Sequence, residues 1–293
     1  MDSETILVGV SILTTGLLLG AIFSLAASGV TIVYGSIWLP NASNGQFFLI
    51  APLIAWLLVT SFGLSTPAAA GLALILGVPF SYFLEATLIR RFYDVPNRNI
   101  AYFMVTLGLT QVFAGVLNIT FGQWSDQFSL PPVLGGISWI GPFPMPNNRL
   151  LVLCLAITLL VALFALMRYH RFGRALRAVF QNREAAALRG VDVRAVYRTS
   201  FLLGTLMIFA AGLLYGMALS FDLTLAWNMA VTVFAIMIVG GPGSVLGAVV
   251  VGMMFGFTQA VVSAFATPTI ASFAYLGAML GVLLLKPDGL FTR

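Results

Sequence analysis

The sequence predicts an all-α integral membrane protein, a polytopic bundle of about eight to ten transmembrane helices. The chain has 293 residues, of which 60% are hydrophobic and 8% are charged, whereas soluble domains carry about a quarter charged residues. Long apolar runs recur along the chain, each close to the roughly 20 residues that a helix needs to cross a bilayer. The basic residues are concentrated: 8 of the 14 Lys and Arg side chains fall in the segment Arg168–Arg198.

The apolar runs divide residues 1–293 into spans of a single transmembrane domain. The first run, Thr5–Leu39, is too long for one simple span, and it predicts a span followed by a broken or tilted segment near Ser28-Gly29. Eight further runs are Phe47–Phe62, Pro67–Ile89, Ile100–Phe121, Leu150–Met167, Thr199–Ser220, Met229–Val239, Ser244–Ala266 and Ile270–Leu285.

The run Met229–Val239 is too short to cross a membrane by itself. Two structures explain it equally well: one limb of a re-entrant pair, or a helix joined to the next by an ordinary short loop. The glycine-rich connection carries four candidate residues for a gate or re-entrant loop: Gly240, Gly241, Gly243 and Ser244.

The basic residues predict the orientation, because Lys and Arg are enriched in cytoplasmic loops. The loop Gly122–Asn148 has no Lys or Arg and contains Asp126, so we expect it outside the cell. The acidic N-terminal tail, with Asp2 and Glu4, also favours a position outside the cell. The net charge of +5 is confined to loops, which argues for a lipid bilayer rather than nucleic acid as the partner. The predicted cytoplasmic segments contain Arg90, Arg91 and Arg98, then Arg168–Arg198, then Lys286 and Arg293.

Motifs for catalysis or metal binding are missing from the sequence. No phosphate-binding loop of the Walker type occurs, and neither the lone Cys154 nor the lone His170 belongs to a ligand set. Few acids lie in apolar runs, and Glu85 is expected to pair with Arg90 or Arg91 at helical spacing. We therefore expect no enzyme activity, no cofactor and no metal in this chain; uphill transport would draw on an ion gradient or on another subunit.

Two polar clusters are the candidate functional residues. The first cluster interrupts an apolar stretch with uncharged polar groups, which need hydrogen-bond partners or water inside a membrane. These candidates for the translocation path are Asn41, Ser43, Asn44 and Gln46. The second lies in the basic segment and predicts a short docking helix for a soluble partner, with small side chains for close approach and a glycine to end the helix. Its residues are Arg183, Glu184, Ala185, Ala186 and Gly190.

Four blocks in register resemble the permeases of branched-chain amino-acid importers of the bacterial ATP-binding-cassette (ABC) class. They are Gly16–Gly35, Ala178–Asp192, Gly240–Ala248 and Lys286–Leu290, and together they extend over nearly the whole chain. The chain departs from the family in a fifth block, Asn41–Gln46. There the usual His is Asn44 and the usual acid is Gln46, so two ionisable groups are replaced by amides.

The resemblance implies an all-helical, multi-pass permease of the bacterial inner membrane with a cytoplasmic C-terminus. Its partners would be a second, similar permease, two ATPase subunits that bind ATP and Mg²⁺, and a soluble extracytoplasmic binding protein. The segment Arg183–Gly190 would be the coupling helix. The solute would be a branched-chain or other amino acid, urea, an amide or a small organic acid.

Two other classes of protein compete with this reading. An ion-gradient-driven carrier or channel for small solutes is the main alternative, although the scarcity of intramembrane acids weakens it. A membrane-embedded enzyme or scaffold is disfavoured because no catalytic constellation is visible.

Overall fold

The computed structural model describes residues 3–93, 98–124, 127–140, 143–265, 268–286 and 289–291. Asp126, Pro287, Asp288 and Arg293 of the sequence-based predictions lie outside the described residues. Over the described residues the chain forms helices joined by short connections, with one β-hairpin. The helices are α1 (Ser3–Ile37), α2 (Asn44–Phe62), α3 (Thr66–Leu84), α4 (Arg98–Phe121), α5 (Asn147–Tyr169), α6 (Arg171–Gln181), α7 (Arg183–Leu188), α8 (Val193–Ala218), α9 (Leu225–Gly240), α10 (Val245–Phe265) and α11 (Pro268–Leu285).

The predicted fold class is confirmed. In the described part of the chain, 7 helices are long and apolar enough to cross a membrane. Two more apolar helices are α9, with 16 residues, and α11, with 18 residues. The protein is therefore a multi-pass membrane protein, and most predicted spans match an observed helix to within a few residues.

The prediction of a break in the first span is wrong. Helix α1 runs without interruption through Ser28 and Gly29 for 35 residues. A Cβ on Gly29 would lie 2.5 Å from the carbonyl oxygen of Gly204, so the absent side chain allows α8 to approach rather than breaking α1. A helix of this length extends over about 50 Å, longer than the bilayer core, and is accommodated because most of it is buried in the protein.

Helix α1 is the centre of the bundle and packs most extensively against α10 and α8. Along the α1–α10 contact the two backbones approach closely at small residues: Gly20 meets Gly256, and Ser24 meets Gly252. At these small residues the helices of one chain approach each other closely. Two glycines of α11, Gly277 and Gly281, differ, since a Cβ at either residue would meet nothing within 4 Å.

The first turns of α2 and α9 meet inside the bundle. A Cβ on Gly45 would lie 1.9 Å from the carbonyl oxygen of Ala226 and 2.7 Å from the Cβ of Ala230. Further along α2, the carbonyl of Phe48 lies against Gly212 of α8. Helix α2 is thus fixed between α8 and α9, and the polar residues at its start lie within the protein.

Among the described residues, the long loop before α5 contains the one pair of β-strands. Strands β1 (Ile137–Ile140) and β2 (Phe143–Pro146) form an antiparallel hairpin. Phe128 and Phe221 exchange backbone hydrogen bonds of 2.7 and 2.9 Å, which ties this loop to the connection between α8 and α9. The sequence analysis did not predict the hairpin.

The predicted pairing of Glu85 with Arg90 or Arg91 is wrong for the described residues. A π-helical turn, Glu85–Ile89, follows α3, and it changes the helical spacing on which the prediction depended. Glu85 is buried and accepts a 3.0 Å hydrogen bond from the hydroxyl of Tyr93. Burial and the nearby carboxylate raise the pKa of Tyr93 well above its usual value, so the phenol stays protonated and donates.

Candidate functional site

The inner polar segment, Asn41–Gln46, lies in the connection from α1 to α2 and in the first turn of α2. Four of its polar residues are buried, with 3% exposure for Asn41, 0% for Ser43, 2% for Asn44 and 6% for Gln46. They face the protein and not lipid. In this structure they also do not line an open aqueous route, so their role in the path stays a prediction.

Hydrogen bonds from α4 hold the inner polar segment in place. The hydroxyl of Ser43 donates to the carbonyl of Thr106 at 2.8 Å, and the amide of Ala42 donates to the hydroxyl of Thr106 at 3.2 Å. The side chain of Asn41 accepts from the amide of Ser43 at 2.9 Å. The side-chain oxygen of Gln46 is buried and has no hydrogen-bond partner within the described residues.

An apolar groove lies beside this segment on the surface of the chain. It has a volume of about 400 Å³ and lies between α4, α9 and α11, with Ala42 at its wall. Trp227 on its border is 61% exposed. The other side chains in the groove are Phe103, Leu107, Ala230, Val231, Phe234, Ala235, Ile238, Leu276 and Met279. The inner polar segment thus borders an apolar surface, to which it contributes Ala42.

The outer polar segment, Arg183–Gly190, forms α7 and the turn after it. Asn182 caps α7 by accepting hydrogen bonds from the amides of Glu184 and Ala185 at 3.0 and 2.9 Å. Gly190 follows the helix at φ +81°, a left-handed conformation that other residues rarely adopt. The sequence therefore encodes both ends of this short helix.

Exposure divides the outer polar segment into two faces. Arg183, Glu184 and Ala185 are exposed to solvent, and Leu188 beside them is 90% exposed. Ala186 is buried, with 4% exposure, so it packs against this chain and is not free to meet a partner in this structure. The exposed face is small, partly apolar and charged at its start.

An aromatic contact joins the end of α1 to α6, just before each of the two polar segments in the chain. Trp38 follows α1 directly, at φ 57°, which is uncommon for a bulky residue and marks local backbone strain. Its ring stacks on Phe180 of α6 with centroids 5.3 Å apart and planes at 6°. Phe180 also lies against Gly243, where a Cβ would come within 2.4 Å of the ring.

The glycine-rich connection is a tight turn between α9 and α10. Gly241 and Gly243 have φ values of +97° and +80°, and Gly240 packs against Gly247 across the turn. The hydroxyl of Ser244 accepts from the amide of Gly247 at 3.1 Å and caps α10. Between the two structures left open by the sequence, the geometry favours an ordinary turn; a gating role stays a prediction.

Sequence reasoning missed the partners of Ser43 and the aromatic contact between α1 and α6. Thr106 and Thr110 bind Ser43, and their spacing of four residues places both on one helix face; that spacing was a usable signal. The stack of Trp38 on Phe180 joins residues far apart in the chain and had no signal. In the described part of the chain no group of three or more His, Cys, Asp or Glu residues could hold a metal ion.

A helical bundle with seven membrane-competent helices in its described part defines a multi-pass integral membrane protein. Residues 12–285 match the family described as "Branched-chain amino acid transport system / permease component". The chain belongs to this family, as its sequence blocks indicate, and it is a transmembrane permease subunit of an ABC importer rather than an enzyme.

Similar proteins extend over almost the whole chain. The high-affinity branched-chain amino acid transport system permease protein LivH of Salmonella typhimurium is 26% identical over 308 aligned residues, covering 99% of this chain and 98% of LivH. The corresponding protein BraD of Pseudomonas aeruginosa is 25% identical over 296 aligned residues, with 96% and 95% covered. A probable LivH of Methanocaldococcus jannaschii is 27% identical, with 91% and 87% covered.

A solved structure supports the fold. A chain in the structure of PsaBC from Streptococcus pneumoniae in complex with Fab matches with a TM-score of 0.50 and 14% identity. The match covers 94% of this chain and 92% of that chain. At this identity the likeness concerns the arrangement of helices alone.

Proposed function

We propose that the apolar groove between α4, α9 and α11 is this chain's half of a translocation path, completed by a second permease subunit, identical or different. Its position supports this: the groove lies on the surface of the chain, and the buried inner polar segment borders it through Ala42. A second subunit placed over the groove would convert an exposed apolar surface into an enclosed route, as large exposed apolar patches usually require.

The solute is a branched-chain amino acid delivered by an extracytoplasmic binding protein. LivH and BraD are both named as permeases for branched-chain amino acids. The apolar lining of the groove suits the side chain of such a solute. No Lys, Arg, Asp or Glu is among the described side chains in the groove, and Val231, Phe234 and Ile238 offer apolar contacts along one face of α9. The amides at Asn44 and Gln46 leave no fixed charge behind the groove to hold a zwitterion tightly.

ATP hydrolysis by two partner ATPases drives the transport through the outer polar segment. The exposed face of α7, formed by Glu184, Ala185 and Leu188, supplies a small docking surface. The ring of Phe180 on α6 contacts both Trp38 and Gly243 of the α9–α10 turn. A movement of α6 and α7 would therefore displace Trp38 and that turn. The turn Gly240–Ser244 would then move as part of the gate.

The membrane placement follows from the charges. We propose that the basic end of the bundle, containing α6 and α7, lies in the cytoplasm of a bacterial cell together with the C-terminus. We propose also that residues 1–293 act as one transmembrane domain, which one hydrophobic core extending through α1, α2, α8, α9 and α10 supports.

The decisive experiment separates an ABC importer from a gradient-driven carrier. The chain is co-expressed with its candidate partners, and the purified assembly is reconstituted in proteoliposomes. Labelled leucine and the binding protein are then added to the outside solution. We expect ATPases to copurify and uptake to require internal ATP while resisting ionophores. Uptake driven by a proton or sodium gradient, without ATP or ATPases, would establish the carrier instead.

A second experiment tests the groove. Val231→Trp fills the groove with an indole and should reduce leucine uptake by about tenfold or more, because the ring would clash with a solute in that space. Ile75→Trp is the matched control on α3, since Ile75 is 66% exposed and outside the groove. Equal uptake by both variants, at equal expression, would exclude the groove from the path.

A further inference from the structure

A second cavity lies at the basic end of the bundle and belongs neither to the groove nor to the face of α7. It has a volume of about 450 Å³ and is enclosed by the ends of α1 and α5, by α6 and by the start of α10. Phe164 and Leu246 line it and are 47% and 53% exposed, so its mouth opens on the lipid-facing surface between α5 and α10. The remaining apolar wall consists of Ile32, Met167, Leu176, Phe180 and Val245.

The cavity combines this wall with two cations. Arg168 and Arg177 both line it. Arg177 donates a hydrogen bond to the carbonyl of Met167, and the guanidinium carbon of Arg168 lies 6.0 Å from the ring centroid of Tyr169. Neither arginine forms an ion pair with a carboxylate in the described part of the chain, so both charges are available to an anion from outside the protein.

A polar group buried in the same cavity also lacks a partner. Thr31 lines the cavity from α1 and is 0% exposed, and its hydroxyl makes no hydrogen bond within the described residues. A buried hydroxyl without a partner destabilises the protein, so a ligand oxygen that bonds to it is favoured. Val245, in the first turn of α10, lies at the same wall, and the first amides of a helix favour negative charge.

Helix α6, which carries Arg177, has the character of a helix at the membrane surface. It is strongly amphipathic: Gly173, Leu176 and Val179 are buried, while Arg171 and Arg174 are exposed. A basic amphipathic helix lies in the plane of the interface with its apolar face inward. The charges that predict a cytoplasmic position therefore face the leaflet in which anionic lipids concentrate.

We propose that this cavity is a specific site for one anionic phospholipid of the cytoplasmic leaflet. The headgroup phosphate would accept from Arg168 and Arg177, the Thr31 hydroxyl would bind a headgroup or ester oxygen, and the start of an acyl chain would lie along Phe164 and Leu246. Paired cations and an apolar mouth match such a molecule on both sides, whereas a free phosphate would leave the apolar half of the cavity unfilled. The site does not depend on which solute the chain transports.

The experiment measures lipid binding to the purified full-length chain by native mass spectrometry. Phosphatidylglycerol and phosphatidylcholine with identical acyl chains are compared, and glycerol phosphate is added as a competitor. We expect one phosphatidylglycerol to bind at least about tenfold more tightly than phosphatidylcholine, since each basic residue near a membrane surface adds a several-fold preference for anionic lipid. Glycerol phosphate should not displace it at equal concentration.

Matched variants locate the site. Arg168→Gln with Arg177→Gln should remove the preference, whereas Arg171→Gln with Arg198→Gln changes the charge equally at exposed positions outside the cavity and should alter it less than about twofold. Leu246→Trp narrows the mouth of the cavity without changing its charge and should also weaken phosphatidylglycerol binding. It serves as the test variant if the Arg168/Arg177 double variant does not fold.

Four outcomes would overturn the proposal. Equal binding of the two lipids, or an equal loss in both double variants, would show only general attraction to the basic end. Displacement by glycerol phosphate would show a site for a soluble anion. Loss of self-association in Leu246→Trp without a change in lipid binding would show that another copy of the chain occupies the cavity.

Discussion

The inner polar segment, Asn41–Gln46, and the outer polar segment, Arg183–Gly190, both interrupt a greasy chain, yet they end in opposite environments. The inner segment has only uncharged groups and is buried against Thr106 of α4. The outer segment has charged side chains and is exposed around α7. The difference shows that hydrogen bonds can satisfy amides and hydroxyls inside a bundle, whereas a guanidinium or carboxylate without a partner must remain in water.

The largest expected effect comes from the close contact at the inner segment. Gly45→Val should destabilise the protein by about 3 kcal/mol or more, because its side chain would collide with the backbone of α9. Thermal unfolding in detergent and yield from membranes measure the loss. Gly71→Val is the control, since a Cβ there meets nothing within 4 Å; comparable losses for both would mean that the contact with Ala226 does not limit packing.

A smaller effect is expected at the end of the outer segment. Gly190→Val should strain the left-handed residue by about 1–2 kcal/mol and displace α7, reducing uptake and its coupling to ATP hydrolysis while the chain still inserts in the membrane. Gly190→Asn should recover much of the activity, because Asn tolerates this conformation. Full uptake in the Val variant, with normal ATPase assembly, would argue against α7 as the coupling helix.

The hydrogen bond from Ser43 to α4 should contribute less than either glycine. Ser43→Ala removes the 2.8 Å bond to the Thr106 carbonyl and should cost about 0.6–1.7 kcal/mol, as polar contacts between membrane helices do. Thr60→Val is the comparison, because the Thr60 hydroxyl bonds only within its own helix. Unfolding measurements that rank the two variants the other way would contradict the supporting role of Ser43.

The smallest perturbation is a labelling series that tests where the path runs. In a chain with Cys154→Ser, Ala42→Cys should react with water-soluble thiol reagents, because Ala42 lines the groove. Cysteines at Ser43 and Asn44 should react slowly at rest, since both are buried, and faster during ATP-driven turnover if the segment takes part in opening. Unchanged rates at all three positions during transport would place the path elsewhere.

The spans were predictable because hydrophobic length is a local property of the sequence. The caps of α7 were equally readable, since Asn182 and Gly190 act within a few residues. The break predicted in α1 was wrong for the opposite reason. A glycine in a helix has the same sequence signature whether it ends the helix or admits a neighbour, and the contact with Gly204 distinguishes the two.

The candidate site was predictable only in part. The polar residues of the inner segment stand out in a greasy stretch, but the apolar side chains of the groove look like any lipid-facing helix. Trp227, Val231 and Phe234 become a surface only because α4, α9 and α11 leave a gap beside them. The contact of Trp38 with Phe180 likewise depends on how α6 lies across the end of α1.

By itself, the sequence determined that this chain is a multi-pass helical membrane protein, which family of permeases it resembles, and where its charged segment begins and ends. These features follow from the cost of placing polar groups in hydrocarbon and from short-range hydrogen bonding. The tertiary structure alone decided which polar residues are buried, where the groove lies and that two arginines and Thr31 share a cavity. Such features depend on contacts between helices distant in sequence, which hydrophobic patterning does not specify.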